Sequence, residues 1–536
     1  MADKKDPKAL PHAQFPEQVG VSSAELKRLI EDFDAQEIEL HSLMVLREGK
    51  VALECYRAPY NHDTPHTMYS VSKSFTSVAI GFAVDEGLLS LDTKVIDLFP
   101  EYRPKKPDPL LEAMTVRHLL TMTSGKDISV ITDKTRGNWV KDFFRAKWGF
   151  APGEGWKYVS ENTYICCAMI YRLTGQHVLD YLQPRLLVPL GIERMPFWEH
   201  DPDGLEAGGW GLFVTTEELA RFMLCLAQGG VYAGQQVIPA WYAKEAVAKQ
   251  VENEHPEALA DSHWGYGYYF WRNALENSYR ADGMFSQFGI VFEDYNAVVV
   301  MTASEVDEQK SRDCLFRHFP AAFIEKSRKK PEDAVPVKEL TLSPMEPLPA
   351  LPHSVLEEFI RGKVIKLNRN PLLNAAGWPL SMLPIAIVYM SADRGGNINN
   401  LVLDFDEDTC TLAWDEGKTH NVILCGMDGS CRESRIHVAG IDFTAVSSAA
   451  WIGPDSLELR MRPLESISER RLTLVFKGNS VTVFPECSPP ISQLADNLKT
   501  TVTTSISSPL LSKGGAIALK QLEKIIDMPL LGTMKQ

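Results

Sequence analysis

Between Met68 and Glu86 the chain reads MYSVSKSFTSVAIGFAVDE, which sets a lysine inside a run that must be buried. Phe75, Val78, Ala79, Ile80, Phe82 and Ala83 recur at helical spacing and Gly87 stops the pattern. The spacing predicts a buried helix of about 17 residues with Ser70 at its N-terminus. Residues three apart share a helix face, so the Lys73 ammonium comes within reach of the Ser70 hydroxyl. A serine is a poor nucleophile until a base takes its proton. A lysine can be that base only when burial brings its pKa from about 10.4 toward 7, roughly 4 to 5 kcal/mol of desolvation. The bland alternative is a helix that merely begins with serine and carries a lysine one turn on. The apolar setting argues against it, because a solvated lysine has polar neighbours.

Length and composition bound the rest. A chain of 536 residues, 45% hydrophobic, has room for two or three packed domains. Its formal charge of -15 is spread along the chain and no Lys/Arg-rich face recurs, so neither nucleic acid nor an anionic membrane is an expected partner. The first residues, MADKKDPKALPHAQF, carry charges with no apolar stretch after them and do not read as a secretory signal. No apolar run approaches the ~18 residues of a membrane span; the nearest is Leu383 to Met390. Nine cysteines with no C-x-x-C pair, two of them adjacent at Cys166 and Cys167, read as reduced packing residues of a cytoplasmic protein. There is no H-E-x-x-H, no paired cysteine set and no G-x-S-x-G, so no metal and no cofactor is implied.

Along the chain, a short helix from Ser23 to Ala35 precedes a hairpin, HSLMVLREG and KVALECYRA, turning at Glu48-Gly49-Lys50. MTVRHLLTMTSG reads as a helix, and His118 within its apolar pattern is a packing residue rather than a base. In APGEGWKYVSENTYICCAMIYRLTG a Pro-Gly turn leads through Trp156, Tyr158 and Ser160 into a helix ended by Gly175. A tyrosine just before a helix either plugs a gap or projects its hydroxyl into a cleft, where a nearby ammonium would lower its pKa for proton shuttling. Further on, Thr215 and Glu218 make a capping box after GGWGLFV, and Gly229 ends that helix. Trp210 in this stretch reads as core.

The blocks SVSKSFTSVAIGFAVDEG, LSLDTKVIDLFPEY, TVRHLLTMTSG, PGEGWKYVSENTY, GGWGLFVTTEELARF and GYGYYFWR, in this order, resemble the serine beta-lactamase-like superfamily. The likeness is nearest to the class C-like esterases and the 6-aminohexanoate-dimer hydrolase group, and it covers roughly residues 15 to 310. It implies an α/β (α+β) domain, a mostly antiparallel sheet flanked by helices, with the nucleophile helix at the junction. It implies Ser70 as the acylated nucleophile and Lys73 with Tyr158 as the groups that take and return its proton. Ser160 stands where class C enzymes carry the asparagine of Tyr-x-Asn, and is implied to face substrate. The third motif, Lys-Thr-Gly in beta-lactamases, falls by position at Met284-Phe285-Ser286, which makes the Gln287 N–H the expected second oxyanion donor beside that of Ser70. A plain hairpin with no such duty is the alternative for Gln287.

Residues 325–352 turn charged and proline-rich and read as a linker. Beyond them, NNLVLDFDEDTCTLAWDEG, HNVILCG, DSLELRMRPLES and RRLTLVFKGNSVTVFPE alternate apolar and polar residues, with Lys477-Gly478-Asn479 as a hairpin turn. The expected organisation is an extension (1–15), a hydrolase domain (16–324), the linker, a mainly antiparallel β domain (353–489) for which a small barrel is one arrangement, and a tail (490–536) with a helix from Gly515 to Ile526. Two functions fit: a serine hydrolase cleaving a small-molecule ester or linear amide, or a penicillin-binding-like sensing protein on the same fold with slow or absent turnover. Oligomeric state is not readable from these features.

Overall fold

The computed structural model describes residues 8–128, 138–253, 261–368, 398–416, 418–490, 493 and 529–535. The run Leu383–Met390 and the helix expected over Gly515–Ile526 lie outside these residues. The chain divides into two compact units at Ser343/Pro344.

The first unit is built on six antiparallel strands. These are β1 (Leu40–Arg47), β2 (Lys50–Tyr56), β3 (Trp271–Arg272), β4 (Ser278–Gly283), β5 (Gln287–Phe292) and β6 (Ala297–Ala303), in the spatial order β3-β4-β5-β6-β1-β2. The β1–β2 hairpin turns where expected, with Glu48 and Gly49 both left-handed at φ 55 and 72, the geometry that a tight two-residue hairpin demands. Every residue of β5 and β6 is buried, which is why VVVM in β6 reads as a continuous apolar run rather than an alternation. Helices cover both faces. Leu43, Val45, Ile290, Phe292, Val299 and Met301 form one core with Leu26, Leu29 and Phe33 of α1 (Ser23–Ala35) and with Leu315, at a C-terminal helix we number α5 (Glu308–His318). Against the other face lies α4 (Thr216–Ala227). It comes so close that a Cβ on Gly289 would sit 2.7 Å from Met223, and its N-terminus carries the Thr215–Glu218 capping box.

Between β2 and β3 the chain is largely helical. Its centre is α2 (Ser72–Asp85), in which Ser72 through Ala83 are all buried; the polar groups of its first half are met by hydrogen bonds, such as Ser74 to Tyr269 O and Thr76 to Gly208 O. Phe75 stacks on Phe222 at 4.0 Å, and Gly81 leaves room for the Tyr242 ring, which a Cβ there would meet at 2.4 Å. The helix starts two residues later than its periodicity predicts. Ser70 lies in a preceding 3₁₀ turn (Tyr69–Val71), because the Ser72 hydroxyl donates to Tyr69 O at 2.6 Å and Tyr69 adopts a left-handed φ of 43. α3 (Ser160–Thr174) ends at Gly175, as expected, with φ 71.

The linker residues 325–352 do not behave as one spacer. Leu340 and Leu342 are buried in the core of the first unit, and the division falls after them. The second unit is a mixed-length antiparallel sheet: β7 (Val364–Leu367), β8 (Ile398–Phe405), β9 (Thr409–Glu416), β10 (Thr419–Gly426), β11 (Arg432–Val438), β12 (Ile441–Gly453), β13 (Ser456–Pro463), β14 (Glu469–Lys477), β15 (Ser480–Ser488) and β16 (Leu530–Lys535). Their order is β10-β9-β8-β7-β16-β15-β14-β13-β12-β11, and a parallel bridge Gly426↔Ser448 joins β10 to β12, closing nine strands into a barrel. Leu472, Leu474 and Phe476 of β14 point inward. The last strand comes from beyond residue 489, where the sequence reading ended the domain; β16 pairs with both β7 and β15.

Candidate active site

The 3₁₀ turn and the first turn of α2 place Ser70 and Lys73 on one face, with Lys73 Nζ 2.9 Å from Ser70 Oγ. Ser70 is half-buried and Lys73 is only 1% exposed. The loop before α3 brings in Tyr158, whose hydroxyl hydrogen-bonds to Ser70 and whose ring centroid lies 4.7 Å from Lys73 Nζ. Two backbone N–H groups fix this loop onto Met122: Lys157 N–H donates to its carbonyl oxygen at 3.0 Å and Val159 N–H to its side-chain Sδ at 3.3 Å. The three residues singled out for proton chemistry thus share one cleft.

Burial governs their ionisation. Desolvation brings the Lys73 amine down to about 7, against the smaller opposing pull of Glu161 and Asp282. The same desolvation pushes the Tyr158 phenol well above its ordinary value; the bond to Ser70 favours ionisation, while Asp282 and Glu308 oppose it. The expectation of a phenol lowered by a neighbouring ammonium is therefore corrected: burial sets the direction, and it is upward.

A further partner was not foreseen. Lys73 Nζ donates to Gly209 O at 2.6 Å. A Cβ at Gly209 would stand 3.0 Å from Ser160 O and 3.1 Å from Ser160 Cβ, so this glycine is what lets its backbone pack against the start of α3. The available signal was the glycine pair in GGWG. Ser160, the first residue of α3, is half-buried and its Cβ backs onto Gly209. Trp210 is buried, its carbonyl accepting from Trp198 Nε1 at 2.8 Å.

The stretch assigned to the third motif divides differently from the expectation. β4 ends at Gly283, and Met284, Phe285 and Ser286 are the turn into β5, with Phe285 and Ser286 left-handed at φ 62 and 70. β4 runs up to the nucleophile turn so closely that a Cβ on Gly283 would lie 2.4 Å from Met68 O. Gln287 is fully buried in β5, a strand flanked by β4 and β6. Its side-chain amide donates to Phe285 O (2.9 Å), Ala303 O (2.8 Å) and Met284 O (3.2 Å). These bonds fasten the turn; they do not run to Ser70, Lys73 or Tyr158. His118 caps its own helix, its Nδ1 accepting from Thr115 N–H at 3.2 Å, in line with a packing role.

The first unit is thus a mixed helix-and-sheet fold that brings Ser70, Lys73 and Tyr158 together. The Beta-lactamase family model matches residues 26–318, more than half of the chain, and the chain belongs to that family. It is 25% identical over 226 residues to the 6-aminohexanoate-dimer hydrolase of Paenarthrobacter ureafaciens, spanning 39% of this chain and 57% of that one. To esterase EstB of Burkholderia gladioli it is 30% identical over 163 residues, 27% of this chain and 41% of that one. The chain therefore matches about half the length of these curated relatives. Among solved structures, the octameric penicillin-binding protein homologue from Pyrococcus abyssi aligns at 16% identity with a TM-score of 0.43, over 86% of this chain and 97% of that one. No helix among the described residues is long and apolar enough to cross a membrane.

Proposed function

We propose that this chain is a serine hydrolase that cleaves an ester or linear amide of a small molecule through an acyl-enzyme on Ser70. The observation that carries the reading is the amine of Lys73, buried, near neutral pKa and 2.9 Å from Ser70 Oγ. A neutral amine has one lone pair and two N–H groups, so it can accept the Ser70 proton while still donating to Gly209 O. Ser70 Oγ then attacks the substrate carbonyl carbon, and the C=O electrons move onto oxygen. The resulting oxyanion needs preorganised N–H donors. One is that of Ser70; for the other, we take the end of β4, which abuts the nucleophile turn, rather than Gln287, which pairs with Gly283 and spends its side chain on the turn. Tyr158, held protonated by burial, gives its hydroxyl proton to the leaving oxygen or nitrogen as the C–O or C–N bond breaks, and recovers a proton from Lys73. Water then repeats the sequence on the acyl-enzyme and frees Ser70. Ser160 would face the substrate beside Lys73.

Nine cysteines, none in a disulfide and seven of them buried, support a reducing, cytoplasmic setting. The test of the whole reading is a p-nitrophenyl short-chain ester, followed together with labelling by a serine-directed phosphonate. A burst followed by steady release, with labelling abolished in Ser70→Ala, is the expected result. A burst without turnover would favour a sensing protein on this fold, and labelling that survives in Ser70→Ala would remove the nucleophile.

A further inference from the structure

The reaction steps above leave a fully buried arginine unexplained. Arg280 of β4 is 0% exposed and is held by Asp282 Oδ2 at 2.6 Å, Asn273 Oδ1 at 2.6 Å and Asp261 O at 3.0 Å. Directly opposite it in the ladder stands Trp271 of β3, whose ring centroid lies 5.6 Å from the guanidinium carbon. The Trp271 ring stacks on Tyr158, with centroids 5.6 Å apart and planes 29° from parallel. Tyr266 and Trp156 meet Trp271 edge-on at 4.9 and 5.6 Å, closing off sideways motion. A row therefore runs Asp282, Arg280, Trp271, Tyr158, Lys73, in which each member touches the next through a charge or a ring face.

Tyr158 needs such support. It projects from a loop rather than from a helix or strand, its ring is half-buried, and the backbone bonds of Lys157 and Val159 fix the loop but not the two side-chain torsions of the tyrosine. Its hydroxyl must stay on Ser70 while the ring stays over Lys73. We propose that Trp271 is a positioning residue for Tyr158, itself held in place across the ladder by the Arg280–Asp282 pair. Cation–π contact with a desolvated guanidinium is stronger than at a wet surface, and a stacked ring fixes the plane of its neighbour. An Arg–carboxylate pair buried on a strand one in from the sheet edge is an expensive way to stabilise a fold; holding a ring that must not move gives it a task. Neither Trp271 nor Arg280 touches the reacting atoms, so their effect passes through Tyr158.

The proposal rests on the reading of Tyr158 as a proton-transfer group, and a double-mutant cycle separates the two. Trp271→Leu, Trp271→Phe, Tyr158→Phe and the double variant Trp271→Leu/Tyr158→Phe are compared on a p-nitrophenyl ester, with circular dichroism as the check on folding. Trp271→Leu should lower kcat at least tenfold with KM within threefold, Trp271→Phe should return kcat to within threefold of wild type, and the double variant should be no slower than Tyr158→Phe alone. If Trp271→Leu does not fold, Trp271→His, a smaller flat ring, takes its place, with a threefold or greater loss of kcat that again vanishes on the Tyr158→Phe background. A tenfold loss that persists on that background, or no loss in the single variant, overturns the proposal alone. Full turnover in Tyr158→Phe overturns it together with the reading beneath it.

Discussion

The ionisation of Lys73 decides whether this site works at neutral pH. A fall from 10.5 to about 7 is 3.5 pKa units, roughly 5 kcal/mol of differential solvation. At pH 7 an unshifted lysine would be neutral about once in three thousand molecules, whereas one with a pKa near 7 is neutral in about half, so burial multiplies the competent base by roughly 10³. The sign follows: the neutral amine is the active form, so kcat/KM for a p-nitrophenyl ester should climb about tenfold per pH unit below pH 6 and level off above pH 8. Lys73→Arg keeps the charge in a group that cannot deprotonate, and should lose about 10² to 10⁴ in kcat at every pH. A stability measurement gives an independent readout. The unfolded lysine binds a proton between pH 7 and 10 that the folded one releases, so burying Lys73 costs the full amount below pH 7 and progressively less as pH rises toward 10.5. The gain in urea stability of Lys73→Met over wild type should therefore be larger at pH 6 than at pH 9 by about 2.6 kcal/mol. A flat rate profile between pH 5.5 and 8, or a gain equal at both pH values, would refute a buried neutral lysine.

Other outcomes test separate parts of the site. Tyr158→Phe should cut kcat by about 10² to 10⁴ with the fold intact by circular dichroism, the range for a lost proton donor. Gly209→Ala should lower kcat at least tenfold in steady-state assay, because its Cβ would press on Ser160 O and Cβ and push away the segment whose carbonyl holds Lys73 Nζ. A chain ending at Ser343 should unfold cooperatively in urea, whereas one ending at residue 335 should be less stable by roughly 3 to 6 kcal/mol for the lost burial of Leu340 and Leu342. The same assay should give a higher kcat/KM for a short-chain ester than for a penicillin. Met284 cannot pair with a carboxylate, Arg280 is taken up by Asp282 and Asn273, and Arg272 donates to Val247 O and faces Glu293; penicillin turnover equal to the ester's would show a carboxylate site that these pairings deny.

Legibility followed sequence distance. Ser70 and Lys73 are three residues apart, so helical periodicity alone brought them together. Tyr158 was legible because it sits in a turn-to-helix junction that the family pattern marks. Gly209 meets Lys73 from 136 residues away, and Trp271 meets Tyr158 through a two-residue strand too short to show a period. The helix start was misread by two residues because periodicity sees apolar spacing and not the Ser72 bond that closes a 3₁₀ turn first. In the third-motif stretch, Met284-Phe285-Ser286 looks like strand, since neither phenylalanine nor serine advertises a left-handed backbone; the Gln287 amide that holds that turn is a tertiary fact. β16 was missed because its six residues, two leucines, a glycine and a methionine with a threonine and a lysine, follow closely on the stretch read as a helix and find their partners only across the barrel.

The reversal at Tyr158 has a different origin, since no distant residue is needed to see it. A lysine neutral enough to accept the Ser70 proton is, by that fact, not a standing cation, so it cannot also be the charge that pulls a neighbouring phenol down. Both groups share one desolvated cleft, and desolvation opposes whichever form is charged: it lowers the amine and raises the phenol together. The order of proton movement follows from that single cause. On the proposed mechanism Lys73 would open the reaction as the empty acceptor and Tyr158 would wait as the loaded donor, and the charge formed on Lys73 when it takes the Ser70 proton would be what first makes release from Tyr158 easier. The phenol would thus be activated by the first proton transfer and not before it, which would tie leaving-group protonation to nucleophile activation.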